Sequence, residues 1–169
     1  MGNKLFLICP FSCIENFIQE EKYGENVFFL TSTAAIFNFN EPAYVESVKE
    51  FIESNNIEEV VIVNDLSCRF LQKTLQNTGE QPRNAAERTL SHLFTDNHSS
   101  LTQQPSFKEQ LIQLATLNIQ EQIHKMTELD VFGVLFMLNG IKLTGLISDK
   151  LDQKVHEFKM PKVHFQNEC

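Results

Sequence analysis

Val60-Val-Ile-Val63, an unbroken run of β-branched residues, constrains the fold of this chain more than any other feature. Such side chains pack well on a pleated surface. A run without alternation offers no polar face to solvent, so it predicts a strand buried on both faces. Leu5-Phe-Leu-Ile8 repeats the pattern, and so does Val27-Phe-Phe-Leu30 after a turn signal at Tyr23-Gly24-Glu25-Asn26. Helical periodicity fills the intervals. Ile14, Phe17 and Ile18 share helical spacing, and Pro42 opens a segment whose Val45, Val48, Phe51 and Ile52 form one stripe. A further helical segment covers 70–75. A longer one covers 107–126, with Ile112, Ala115, Ile119, Ile123 and Met126 on one face. Strands alternating with helices predict an α/β fold with a mostly parallel central sheet flanked by helices.

The later segments are less uniform. Residues 131–138 are strongly apolar and fit either a strand or a buried helix by period. Ile141-Lys-Leu-Thr-Gly-Leu-Ile147 alternates, then meets Asp149 and Asp152, which reads as a half-exposed strand entering a hairpin. Residues 76–108 are rich in Gln, Asn, Ser and Thr and predict a long, partly mobile excursion with one short helix at 85–94. The tail, 159–169, reads as an extended arm. With 169 residues the chain is expected to form a single domain over 1–169, large enough to bury a core.

Charge and composition narrow the partners. A net charge of −8, with no Lys/Arg cluster denser than Lys159-Met-Pro-Lys162, argues against nucleic acid and anionic membranes. No apolar run approaches the ~20 residues of a membrane span. The run at 5–9 is too short for a signal-peptide core. The expected location is the cytoplasm. Four cysteines, Cys9, Cys13, Cys68 and Cys169, are too few for a disulfide framework. In a reducing setting they read as free thiols or metal ligands.

Several chemistries lack their motifs. No Gly-rich phosphate loop, G-x-G-x-x-G, G-x-S-x-G or H-E-x-x-H occurs. The five histidines are scattered, and His92, His98 and His124 read as solvated side chains. In parallel sheets, ligands gather at the carboxyl ends of the strands. Cys9 follows the first strand, and Asp65 and Cys68 follow the Val60–Val63 strand. Thiolates and a carboxylate are a plausible zinc donor set. The residue types also fit a simpler reading, in which Cys9 and Cys68 are small buried side chains and Asp65 closes an Asx-turn or caps the next helix. A Cys9–Cys68 disulfide is a third reading, which a reducing cytosol disfavours.

The order of these segments resembles the β-class carbonic anhydrases along nearly the whole chain. Leu5-Phe-Leu-Ile-Cys-Pro-Phe-Ser-Cys13 stands where that family has a strand ending in Cys-x-Asp-x-Arg. Asp65-Leu-Ser-Cys68 stands at its His-x-x-Cys turn, and Ser32-Thr-Ala34 at its Asn-Ala-Gly turn. Asn118-Ile-Gln-Glu-Gln-Ile123 is similar to its Asn-Val-x-x-Gln-Val helix. Gly140-Ile-Lys-Leu-Thr-Gly-Leu-Ile-Ser-Asp149 is similar to its hairpin strand.

The resemblance implies a parallel core of four strands near 4–8, 26–31, 59–64 and 132–138, with an edge strand near 141–148. It implies a homodimer and a zinc ion held by Cys9, Asp65 and Cys68, with Asp65 in place of a histidine; Cys13 could add a donor. Phe11 and Cys13 replace the Asp–Arg pair that orients metal-bound hydroxide, and Asp65 would add negative charge to a site already holding two thiolates. Carbonate dehydratase activity is therefore expected to be slight or absent, as in a pseudoenzyme. The alternative is an active zinc-dependent lyase, or a related hydrolase of a small linear substrate, with Phe11 lining a dry pocket.

Overall fold

A computed structural model describes residues 2–20, 26–76 and 81–158. The expected tail at 159–169, with Cys169, and residues 23–25 of the expected turn lie outside the described residues. Five strands form one sheet: β1 (Asn3–Ile8), β2 (Val27–Thr31), β3 (Ile57–Asp65), β4 (Lys142–Asp149) and β5 (Lys154–Phe158), in the order β2-β1-β3-β4-β5. The first four in that order run parallel, and β5 returns antiparallel along β4.

The β-branched run lies in the central strand. Val60 to Val63 are all buried, as side chains enclosed on both faces must be. Successive residues serve opposite faces. Leu5, Leu7, Cys9, Val60 and Ile62 join a large core that takes in most of the helices. Those helices are α2 (Pro42–Ser54), α3 (Arg69–Gln76), α4 (Ala85–Asp96), α5 (His98–Thr102), α6 (Phe107–Thr127) and α7 (Asp130–Leu138). Phe6, Ile8, Val61, Val63 and Leu146 face the other way and meet Ile14 and Ile18 of the short α1 (Glu15–Ile18) with its flank.

Two expectations for the second half of the chain need correction. Residues 132–138 are not a strand; they lie within α7, with Phe132, Gly133 and Leu135 buried at helical spacing and Val134, Met137 and Leu138 exposed. Parallel neighbours need a long crossover, and α6 with α7 forms much of the one that carries the chain from β3 to β4. Gly140, at φ 65°, makes the left-handed turn between α7 and β4. The strand expected at the edge, 141–148, is instead the fourth parallel strand, paired with β3 from Glu59↔Lys142 to Asp65↔Ser148. Its last five residues are buried, and β5 occupies the edge.

The polar excursion is more structured than its composition suggests. Its expected short helix is α4, where the Asn84 side chain accepts the Glu87 amide at 2.9 Å. Leu90 of α4 and Leu101 of α5 are completely buried. A few well-spaced apolar residues are enough to dock an otherwise hydrophilic segment. Among the described residues, no helix is long and apolar enough to cross a membrane.

Candidate functional site

The carboxyl ends of β1 and β3 lie side by side, and each runs into a tight turn. After β1 the chain makes a 3-10 turn at Pro10–Ser12, closed by the Ser12 amide donating to the Cys9 carbonyl at 3.0 Å. After β3, the Cys68 amide donates to the Asp65 carbonyl at 2.9 Å. These turns bring Cys9 and Cys68 together, both buried, with their sulfurs 4.0 Å apart. Cys68 donates to Cys9, and the Ala34 amide donates to the Cys9 sulfur at 3.2 Å.

The pair titrates unevenly. The Cys68 thiol, with help from the Phe11 and Ala34 amides, outweighs burial and lowers Cys9 to about 6. Cys68 is pushed up, first because its proton is shared with Cys9 and then by burial. The two sulfurs thus favour one shared negative charge on Cys9.

Ala34 is presented by a strained turn. Ala34 and Ala35 have φ of 57° and 54°, in the left-handed region that costs a residue with a Cβ. Helix α6 holds this turn. Asn118 Nδ2 donates to the Ala34 carbonyl at 3.0 Å and to Asn64 Oδ1 at 3.0 Å. Gln122 Oε1 accepts the Phe37 amide at 3.0 Å. Asn118 and Gln122 are fully buried polar residues four apart on an apolar helix face. An open cavity of about 400 Å³ lies beyond the turn, lined by Ser32, Thr33, Asn38, Asn84 and Lys125 among others, and neither cysteine borders it.

Asp65 is buried on the same turn as Cys68, but its carboxyl group is engaged elsewhere. Oδ1 accepts the Ser67 amide at 2.8 Å and the Ser67 hydroxyl. Oδ2 accepts the Ser148 hydroxyl at 2.7 Å and the Lys150 amide at 3.2 Å. Asp65 therefore makes the Asx-turn that its sequence position allows and also clamps β3 to the end of β4. Sequence reasoning did not anticipate Ser148 and Lys150 as its partners, since register alone sets them opposite.

Phe11 is half exposed and does not line a dry pocket. Its ring meets Phe70 edge-on, with centroids 5.4 Å apart, and the Arg69 guanidinium lies 4.1 Å from the Phe11 centroid. A cation–π contact thus joins the two cysteine-bearing turns. Cys13 is exposed, and its thiol faces the Pro10 carbonyl at 3.6 Å.

The fit to zinc can be read from these donors. A structural zinc takes four ligands, and a catalytic one takes three from the protein. The two sulfurs lie close enough to share an ion, but the Asp65 oxygens already accept four hydrogen bonds. Among the described residues, no group of three or more His, Cys, Asp or Glu is placed to hold a metal. The expected trio of Cys9, Asp65 and Cys68 is therefore a pair plus a neighbour turned away, and the residues as arranged do not fit zinc.

No family model matches the sequence, and no curated protein is similar to it. Solved structures are similar. The β-carbonic anhydrase CafA of the fungal pathogen Aspergillus fumigatus superposes with a TM-score of 0.79 at 21% identity, over 95% of this chain and 78% of that one. One of two tetrameric β-carbonic anhydrases of Sordaria macrospora gives 0.77 at 15% identity, over 94% and 81%. A Coccomyxa β-carbonic anhydrase in complex with acetazolamide gives 0.71 at 12%, over 93% and 72%. The fold of this chain is that of the β-carbonic anhydrases.

The buried clamp makes a measurable prediction. Asp65→Ala leaves the Ser67 and Ser148 hydroxyls and the Ser67 and Lys150 amides without this acceptor and should cost about 3 kcal/mol of unfolding free energy in urea. Ser148→Ala, which removes one donor, should cost about 1 kcal/mol.

Proposed function

We propose that this chain is a β-carbonic-anhydrase-like protein with little or no carbonate dehydratase activity. The carrying observation is the Asp65 carboxyl group, which stands where the resemblance implies a metal-binding histidine but accepts four hydrogen bonds from β4 and its own turn. Two further residues support the reading. Phe11 supplies no proton acceptor where one is needed, and its ring is occupied by Arg69. Cys13 is exposed and faces a backbone carbonyl. Cys9 and Cys68 alone keep the placement of metal ligands.

The second reading, an active zinc lyase, is favoured by the spacing of those two sulfurs. It requires Asp65 to release Ser148 and Lys150 and turn towards Cys9. The two readings are separated by stopped-flow hydration of carbon dioxide on protein of measured zinc content. We expect no acceleration over buffer, with or without added zinc. A kcat/KM near ~10⁸ M⁻¹s⁻¹ would refute the proposal. Phe11→Asp, Cys13→Arg and Asp65→His combined should raise both zinc content and hydration rate, because the scaffold is otherwise of the right fold.

A homodimer is part of the proposal. The alternating strand β4 is interior, between β3 and β5. The edge opposite β5 is β2, whose Val27, Phe28, Phe29 and Leu30 are only partly buried. An apolar edge strand invites pairing, and a two-fold interface would cover it. Light scattering at micromolar concentration should give about twice the 19.5 kDa chain mass. A value equal to one chain, unchanged on concentration, would remove the dimer.

A further inference from the structure

We propose that Cys9 and Cys68 form a reversible intramolecular disulfide that ties β1 to the turn after β3 directly, through sulfur alone. The inference rests on the reading above, in which no metal claims the two thiols.

Three features of the site carry it. The sulfurs are 4.0 Å apart with no side chain between them, and the Cys68 thiol already points at Cys9. A disulfide holds two sulfurs about 2.05 Å apart, so the bond needs about 2 Å of further approach between them. Second, among the described residues no third donor is assembled around the pair, and Asp65 is saturated by its own hydrogen bonds. Third, the Ala34 amide and the Cys68 thiol both donate to Cys9, so Cys9 is the acceptor of the pair. It is therefore the attacking group.

The oxidant must be small, because both cysteines are buried. Hydrogen peroxide meets that requirement. Cys9 sulfur attacks one peroxide oxygen, the O–O bond breaks, and hydroxide leaves, to be protonated to water. The sulfenic acid formed on Cys9 is then attacked by Cys68 sulfur, the S–O bond breaks, and a second water departs with the Cys68 proton. The two sulfurs together lose two electrons, which peroxide accepts. A dithiol reductant reverses the bond by exchange. The cross-link encloses a long loop, since the two cysteines are 59 positions apart in sequence. Closing a loop of that size restricts the unfolded chain strongly.

The test begins with reduced, chelator-treated full-length protein whose metal content has been measured. It is exposed to hydrogen peroxide and followed by intact mass and non-reducing peptide mapping. The expected result is loss of two hydrogens in mass, a Cys9–Cys68 linked peptide, a rise in Tm of several degrees, and full reversal by dithiothreitol. Cys13→Ser should leave all of this unchanged. Cys9→Ser and Cys68→Ser should each abolish the linked peptide, but the test does not depend on their folding, because the wild type and Cys13→Ser report the linkage directly. Linkage of Cys9 to Cys13 or Cys169, a stable sulfinic acid on Cys9, or two unreacted thiols after peroxide would each overturn the inference. Zinc bound at stoichiometry before chelation would instead overturn the reading of function, so the two failures are distinguishable.

Discussion

The buried carboxyl group of Asp65 is the interaction on which the rest of the site depends. It sits where the central strand ends; two of its hydrogen bonds close its own turn through Ser67, and two join that turn to Ser148 and Lys150 at the end of β4. A buried polar group is tolerable only when its hydrogen-bonding capacity is met, and a carboxyl group demands more than most. Meeting that demand fixes the side chain towards β4. The same constraint withdraws it from the two cysteines, which are left facing each other. The geometry of the sulfur pair follows from where Asp65 must look.

The surroundings of the pair show the same substitution of one interaction by another. The sequence resemblance places an Asp–Arg ion pair at positions 11 and 13, and the structure has Phe11 under the Arg69 guanidinium. Each arrangement can hold two turns together. Only the ion pair offers a proton acceptor, whereas an aromatic ring held by a cation contributes packing and exclusion of water. The Ala34 turn carries backbone strain, and Asn118 and Gln122 of α6 hold it in place. Such strain persists only where surrounding contacts over-determine it.

Much of the fold was legible in the sequence because its strongest signals are local. Val60-Val-Ile-Val63 could be little other than an enclosed strand, and the stripe Val45, Val48, Ile52 could be little other than a docked helix. The segment at 131–138 was not legible. A short, almost wholly apolar run has no period to read, and its helical state is set by the crossover that β4 requires. The edge assignment failed for a related reason: alternation in Ile141-Lys-Leu-Thr-Gly-Leu-Ile147 reports which residues are apolar, not which strand will pair beyond them. At the site, the sequence located Cys9, Asp65 and Cys68 at strand ends, and strand order brought the two cysteines together. The direction of the Asp65 side chain depends on the β3–β4 register, in which Asp65 pairs with Ser148, and no motif encodes that.

The account turns on where Asp65 points when a metal is offered. A crystal structure grown with excess zinc measures this directly. The account predicts that Asp65 keeps its bonds to the Ser148 hydroxyl and the Lys150 amide, and that the sulfur pair holds no ion with a three-residue protein shell. An Asp65 rotated onto a zinc ion shared with Cys9 and Cys68 would contradict it.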